Sequence, residues 1–205
     1  MTISTYAELQ TAIGTYAVRS DAATLAPEYI ALAEAVINRR LRARQMTATT
    51  TGTITGGNGY LTLPTDFLGV RQFRLTGGSY FKLEAVSLDR MDELKAQTDI
   101  SGEPQCYALR GLVAELYPEP AEDTTYRLTY YQSVPALAST DPNWLLTAHP
   151  DVYLYGALVE LGIRYQDERT QVWSQRFDAA LAAVSEFDEL MGGDRLAPQI
   201  NRSIA

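Results

Sequence analysis

Few residues of this 205-residue chain are of the types that carry out acid–base or nucleophilic chemistry. His149 is the single histidine, and Pro150 follows it directly. A general base requires a partnered nucleophile within reach, so we interpret His149 as a residue at the start of a helix. Cys106 lies in a short apolar segment, and we expect it to be a small buried side chain.

Paired carboxylates are the remaining candidates for catalysis, because glycoside hydrolysis uses two of them. Glu115 alternates with Tyr117 on a predicted strand, and Glu160 lies in an apolar helix. Arg164 follows Glu160 by one helical turn, which favours a structural ion pair. The spacing of these carboxylates gives no reason to predict hydrolysis.

Sequence motifs for metal or phosphate binding are absent. There is no Cys-x-x-Cys and no His-Glu-x-x-His, and a single cysteine excludes an internal disulfide. The glycine-rich segment 56–59 lacks the Lys-Ser/Thr of a phosphate-binding loop, and we interpret it as a hairpin turn. We therefore predict no enzymatic activity, no cofactor and no metal site.

The composition is that of a globular protein, with 46% hydrophobic and 20% charged residues. The length suffices for one large core, or for one core with a smaller second domain. The net charge of −8 argues against binding of nucleic acid by the whole surface. The N-terminus has neither a basic region nor an apolar run, so we expect no signal peptide and synthesis in a reducing cytoplasm.

Helical patterns occupy the first 45 residues. Thr5 and Glu8 form a capping box that predicts a helix up to about residue 18. A second helix is predicted from about residue 27 to residue 44, and its last turns contain Arg39, Arg40, Arg42 and Arg44. Cations are favourable at a helix C-terminus. The alternative is that this arginine cluster docks against an acidic partner surface.

The hydrophobic period changes at Met46 and again after Val134. The threonine-rich segment 47–55 predicts β structure. Segments 70–75 and 80–85 predict a hairpin around Gly77 and Gly78, a short helix is expected from residue 87, and three more strands are predicted at 106–109, 113–117 and 126–131. We therefore expect a mostly antiparallel β domain inserted between helical segments.

The C-terminal part returns to helical patterns. Pro150 suits the first turn of a helix, and Glu160 is the only charged residue between positions 152 and 163. Such a helix is predicted to be a core element, and it is too short to be a membrane span. A last helix to about residue 191 has a narrow apolar seam formed by Trp173, Phe177, Ala180, Val184, Phe187 and Met191.

These patterns predict an α+β fold in which two helices from each chain end form a four-helix bundle. The expected parts are residues 1–46 and 135–193 for the bundle, 47–134 for the β domain, and 194–205 for an extended tail. Residues 47–142 contain seven basic and twelve acidic residues, so the β domain is the most acidic part. The tail has isolated apolar residues without periodicity, namely Leu196, Ile200 and Ile204.

Three segments between residues 143 and 158 also carry a family resemblance: Asn-Trp-Leu-Leu at 143–146, His-Pro-Asp at 149–151 and Tyr-Leu-Tyr-Gly-Ala-Leu at 153–158. Together they resemble the signature of gatekeeper-like head-to-tail adaptor proteins of tailed bacteriophages. Further segments agree in the same order, at residues 6–9, 19–21, 33–42, 63–67 and 130–131.

The resemblance implies a structural virion protein at the head–tail junction. Such a protein forms a ring, expected to be twelve-membered, beneath the portal, connects the capsid to the tail or nozzle protein, and lets DNA pass without specific binding. No membrane is involved, and synthesis takes place in the host bacterial cytoplasm. The partner-binding residues that we predict are Arg39, Arg40, Arg42, Arg44, Leu196, Ile200 and Ile204.

Two other classes of protein stay open at this point. A peptidoglycan-degrading virion enzyme would require a pair of glutamates across a sugar-sized cleft. A glycan-binding module would require exposed, clustered rings, for which the candidates are Tyr80, Tyr107, Tyr117, Tyr126, Tyr130 and Tyr131. Buried rings on the strands would instead indicate packing.

Overall fold

A computed structural model describes residues 3–19, 21–77, 82–97 and 100–191 of the chain. The fold is mixed α+β, as predicted. The chain folds into two compact units, a helical unit (residues 1–45 and 134–205) and a β unit (residues 46–133). Each unit has its own secondary structure and is described separately.

The elements follow one another along the chain with short connections. The helices are α1 (Tyr6–Ala17), α2 (Ala22–Arg40), α3 (Leu88–Gln97), α4 (Trp144–Ala148), α5 (Pro150–Tyr165) and α6 (Thr170–Met191). The strands are β1 (Thr47–Ile54), β2 (Tyr60–Thr62), β3 (Phe67–Leu75), β4 (Glu84–Ala85), β5 (Ser101–Gly102), β6 (Cys106–Arg110), β7 (Val113–Tyr117), β8 (Glu119–Pro120) and β9 (Thr124–Gln132).

The predicted limits of the second helix are wrong at both ends. Helix α2 begins at Ala22, and Pro27 lies inside it, because the alanine-rich segment before the proline is itself helical. The helix ends at Arg40, since Leu41 has an extended backbone with φ −84° and ψ 136°. Leu41 is nevertheless buried. The backbone thus leaves the helix at a residue whose apolar side chain is still part of the core.

Helix α5 is the centre of the helical unit. Pro150 occupies its first turn, and eight of its residues are buried, on nearly every face. It contacts α1, α2, α4 and α6. At Gly156 the packing is close, because an added Cβ would lie 3.0 Å from Ala33 Cβ and 3.0 Å from Phe177 Cε2. A glycine at this position therefore allows α2 and α6 to approach α5 from two sides.

A short helix, α4, precedes α5 and was not predicted. Asn143 begins it, since its Oδ1 accepts a hydrogen bond from Leu146 N at 2.9 Å. Its Nδ2 donates to Pro135 O and to the hydroxyl of Tyr153, both at 2.7 Å. Asn143 and Tyr153 are 3% and 0% exposed. One buried amide thus fixes the preceding loop, α4 and α5 together.

The described residues of the β unit form three sheets, and their strand orders are β1-β9-β3, β2-β7-β6-β4 and β5-β8. Most pairs are antiparallel, whereas β4–β6 and β5–β8 are parallel. A core between the first two sheets includes Phe73, Leu83, Leu116 and Leu128. Helix α3 packs on β6 and β7, where Met91 contacts Cys106 and Ala108.

Two predicted hairpins differ in the structure. The glycine-rich segment 56–59 does not join paired strands, because β1 pairs with β9 and β2 pairs with β7. It instead carries the chain from one sheet to another, with Gly57 at φ +75°. In the hairpin predicted for segments 70–75 and 80–85, Lys82 does form an antiparallel bridge with Arg74. The next residues, however, form β4, which pairs in parallel with β6. Gly78 of the predicted turn and residues 79–81 lie outside the described residues.

Replacement of Leu158 by alanine tests the central position of α5. Leu158 is fully buried, so we expect a loss of about 2–5 kcal/mol in the free energy of unfolding, as for other buried leucines. Gln175→Ala on the exposed side of α6 is the matched control, with an expected change within about 0.5 kcal/mol. Denaturant unfolding measures both, and equal stability of the two variants would contradict a core role for α5.

Candidate docking surface

The arginine cluster (Arg39, Arg40, Arg42 and Arg44) lies at the C-terminal end of α2 and just beyond it. All four residues are exposed. Arg39 and Arg40 are in the last turn of the helix. The prediction that all four occupy the last turns of this helix is wrong, because Arg42 and Arg44 follow the extended Leu41.

Two members of the cluster make contacts within the helical unit. Arg42 Nη1 donates to Asn38 O at 2.8 Å and also to Leu41 O, so it satisfies carbonyls at the helix end. Arg40 Nη1 lies 2.7 Å from Asp178 Oδ1 on α6, and its guanidinium is 5.8 Å from the ring centre of Phe177. The interpretation of the arginines as cations that stabilise a helix C-terminus therefore fits Arg42. Arg40 instead links α2 to α6.

Arg39 differs from these two residues. Within the described part of the chain, no ion pair connects its guanidinium to a carboxylate. Arg44 begins a 3-10 turn that leads to the buried Met46. The cluster thus combines side chains with internal contacts and one exposed cation, Arg39, that forms no ion pair with the described residues of the helical unit.

The apolar seam of α6 faces the core of the helical unit. Trp173, Phe177, Ala180 and Val184 are all buried. The side chains of Phe187 and Met191 lie outside the described residues, as do Gly192 and the whole tail with Leu196, Ile200 and Ile204. The tail as a docking segment therefore stays a prediction.

Sequence reasoning missed one set of contacts, at the turn between α5 and α6. Arg169 donates to Tyr16 O and Ala17 O at 3.1 Å each, and so ties this turn to the C-terminus of α1. Its side-chain hydrogen bond to Asp167 lowers the pKa of that carboxyl group to about 2. No local sequence pattern signals this contact, since 152 residues separate Arg169 from Ala17.

Glu115, the first candidate for acid catalysis, has a structural role. Its carboxylate is 2.7 Å from Lys95 Nζ of α3 and 3.5 Å from Arg110 Nη2, and the residue is 5% exposed. The hydrogen bond from Lys95 lowers the pKa of Glu115. A general acid requires the opposite shift, so this carboxylate anchors α3 to the sheet.

Among the residues that the structure describes, the other catalytic candidates also lack suitable partners. Arg164 lies 3.8 Å from Glu28 on α2, so its predicted pairing with Glu160 is not the one observed. His149 connects α4 and α5, and its backbone N–H donates to Leu145 O. Cys106 is buried, as expected, and burial raises the pKa of its thiol. Among the described residues, no group of histidine, cysteine and acidic side chains is suited to hold a metal ion.

The β unit contains a cleft of about 570 Å³ lined by Glu103, Glu122 and Asp123. All three side chains are exposed, and Asp123 accepts a hydrogen bond from Gly56 N at 2.9 Å. A carboxylic acid that protonates a glycosidic oxygen needs an environment that removes it from water. The cleft provides no such environment and gives no support to a glycosidase.

The tyrosines proposed as a glycan platform belong to the packing of the β unit. Tyr107 and Tyr130 are buried, and Tyr117, Tyr126 and Tyr131 are half-buried. Phe73 packs edge-on against Tyr107 and Tyr126, with ring centres 5.3 and 5.8 Å apart. Tyr80 lies outside the described residues. The glycan-binding alternative is therefore unsupported.

The ion pair between Glu115 and Lys95 predicts how stability depends on pH. The carboxyl pKa is lowered from its ordinary value of 4.5, so the pair contributes to stability above that value and the contribution is lost as the pH falls through the folded-state pKa. We expect Glu115→Gln to lower the free energy of unfolding at pH 7. The difference in this free energy between the variant and the parent protein should shrink steadily as the pH falls towards 3. Denaturant unfolding across this range measures it. Glu119→Gln is the control, and the same trend in both variants would contradict the assignment.

The chain matches a protein family along nearly its whole length. The model of the family described as "SU10 adaptor protein" matches residues 4–199. A search of curated proteins finds no match. Within the described residues, no helix is both long and apolar enough to cross a membrane. The match includes helices from both chain ends and every strand of the β unit, and the chain therefore belongs to the SU10 adaptor protein family, a family of phage head-to-tail adaptors.

Proposed function

We propose that this protein is a subunit of a ring, twelve-membered as the resemblance implies, that sits beneath the portal and connects the phage capsid to its tail. The observation that carries the proposal is the family match over residues 4–199. In this role the protein is a structural virion component and not an enzyme. It is made in the host cytoplasm, contacts the portal on one side and a tail or nozzle protein on the other, and leaves a passage for DNA.

We propose that the two compact units have different roles. Helices α1, α2, α5 and α6 form a four-helix bundle, which packs side by side with its neighbours around the ring. The contacts of α5 with the other three support this arrangement. Residues 47–134 form the inserted β domain, and residues 194–205 form a tail that reaches the portal or a neighbouring subunit.

Docking through the arginine cluster is supported by how its side chains are used. Arg40 and Arg42 are engaged within the helical unit, so they hold this end of α2 in a fixed geometry. Arg39 is exposed beside them. An exposed cation on a rigid helix end loses little side-chain freedom when it pairs with an acidic surface, and such pairing favours orientation and rate of encounter.

Charge reversal at Arg39 tests this contact. We expect Arg39→Glu to lower the melting temperature of the free protein only slightly, since no described internal ion pair is lost and the charge at the helix end contributes at most about 1 kcal/mol. Binding to purified portal assemblies, measured by light scattering or sedimentation, should weaken at least tenfold, on the order of 1.4 kcal/mol. Arg176→Glu, at an exposed position of α6, is the matched control. Equal binding of the two variants would eliminate Arg39 as a docking residue.

Removal of residues 194–205 tests the tail. Leu196, Ile200 and Ile204 are too sparse to fold locally, so their ordering requires a surface outside the chain's own core. We expect truncation after Gly193 to leave the melting temperature unchanged and to abolish or greatly weaken incorporation into particles. Quantitative blotting of purified particles gives the measurement. Normal incorporation of the truncated protein would show that the tail does not dock.

A further inference from the structure

Helix α2 has apolar residues on its exposed side as well as on its buried side. Leu32 is 51% exposed, and Leu25 and Val36 are half-buried. A helix that is apolar on all sides is normally enclosed by other elements, and exposed apolar surface marks contacts with a partner. The charged residues of this helix are only Glu28, Glu34, Arg39 and Arg40.

Five residues on the exposed side of α2 form a regular row. They recur at spacings of three and four residues, which is the pattern of a helix that packs lengthwise on another helix. None of them is fully buried. Arg39 forms no ion pair with the described residues, and Glu28 approaches Arg164 only to 3.8 Å. We call this set the outer row of α2, and its members are Leu25, Glu28, Leu32, Ala35 and Arg39.

Helix α6 carries a second row with the same spacing. It lies on the side of the helix opposite to the buried Phe177 and Val184. All its members are exposed, and Val172 is exposed to 55%. Arg176 lies outside this row, because it follows Gln175 by about 100° around the helix. The outer row of α6 consists of Val172, Gln175, Ala179, Ala182 and Glu186.

The two outer rows are complementary when they are aligned in parallel. Apolar residues then meet at three positions, an amide meets a carboxylate at one, and opposite charges meet at the last. In the antiparallel alignment Arg39 would instead meet Val172, and Leu25 would meet Glu186. The parallel pairs are Leu25 with Val172, Glu28 with Gln175, Leu32 with Ala179, Ala35 with Ala182, and Arg39 with Glu186.

The directions of α2 and α6 in the helical unit suit a contact between copies. Glu28 lies beside Arg164 and Ala33 beside Gly156, so α2 runs against α5. Phe177 also lies beside Gly156, so α6, which follows α5 after a short turn, runs against it too. The two helices therefore point the same way. A rotation about an axis along them keeps that direction, and a cyclic assembly joins two different faces of neighbouring copies.

We propose that the outer row of α2 packs in parallel against the outer row of α6 of the next copy of this chain. The inference deepens the proposed function, on which it rests for the ring, and it identifies Glu186 of the next copy as the acidic partner of Arg39. Leu32 and the alanines provide the apolar contact, and the pair of opposite charges sets the register. Each contact is small, but a closed ring repeats it between all neighbours, so that the contacts support one another.

The test is disulfide cross-linking between copies in purified particles. Ala35 and Ala182 are opposite each other in the proposed contact, and a disulfide forms only where two Cα atoms lie within about 7 Å. After mild oxidation, we expect the Ala35→Cys/Ala182→Cys variant to give a ladder of cross-linked multimers on a non-reducing gel. Neither single variant should give this ladder, because the introduced cysteine then faces an alanine and Cys106 is buried.

The matched control is Ala35→Cys/Gln175→Cys. It places the second thiol on the same exposed row, about 10 Å along α6 from Ala182, and this pair is opposite only in the antiparallel alignment. We expect at least about tenfold less cross-linked product from the control than from the test pair, because the control thiols are too far apart.

Three results of the cross-linking would overturn the inference and leave the adaptor role standing. These are equal cross-linking of the two pairs, no cross-link by the test pair in particles that contain the protein, and cross-linking by Ala35→Cys alone, which would indicate a contact between two α2 helices. Absence of the protein from particles would instead overturn the proposed function, and this inference with it.

Charge reversal tests the pairing of Arg39 with Glu186 separately. We expect Arg39→Glu and Glu186→Arg each to lower incorporation into particles at least about tenfold, because like charges then meet at every contact of the ring. An equimolar mixture of the two variants should recover incorporation, since in an alternating ring each contact joins either two native residues or two reversed ones. A contact of Arg39 with the portal predicts no recovery. Incorporation of the mixture at only the mean of the two variants would therefore overturn the pairing.

Discussion

The helical unit depends on one buried hydrogen-bonded junction, between Asn143 and Tyr153. The hydroxyl of Tyr153 is fully enclosed, and burial raises its pKa far above the ordinary range. A buried hydroxyl without a partner would destabilise the fold. The amide of Asn143 supplies that partner, and it simultaneously accepts from Leu146 N and donates to Pro135 O.

Two further hydrogen bonds hold the chain between the β unit and α5. Glu34 accepts a hydrogen bond from Leu137 N at 2.7 Å, and Asn38 accepts one from Val134 N at 2.8 Å. Both acceptors lie on α2, so this helix provides polar anchors for a segment that has no regular structure of its own. Burial raises the pKa of Glu34, against the effect of the backbone hydrogen bond. The apolar packing around α5 thus includes a small number of hydrogen-bonded polar groups that hold the neighbouring segments.

The parts of the fold that the sequence predicts are those with local causes. Pro150 and the apolar run after it define α5, and alternating side chains define β6, β7 and β9. The parts that it does not predict depend on distant partners. The segment 56–59 has the composition of a hairpin turn, yet its flanking strands join different sheets. Leu41 continues the helical period of α2, but its backbone is extended. Periodicity identifies the buried face of an element, not the neighbour that covers it.

The same limit applies to the candidate sites. The arginine cluster is visible in the sequence because its members are adjacent, although only the contacts show that Arg40 and Arg42 are engaged internally. The outer rows of α2 and α6 have a regular spacing in the sequence. Only the structure shows that both rows are exposed and that the two helices run in the same direction.

The proposed docking surface has to form a contact that persists in the assembled particle. A subunit contact of this kind gains from a cation on a rigid helix end and from a tail whose ordering depends on the assembled partner. Arg40 and Arg42 hold the end of α2 through contacts within the helical unit. Arg39 can therefore pair with an acidic partner while the contacts that stabilise the free subunit stay in place.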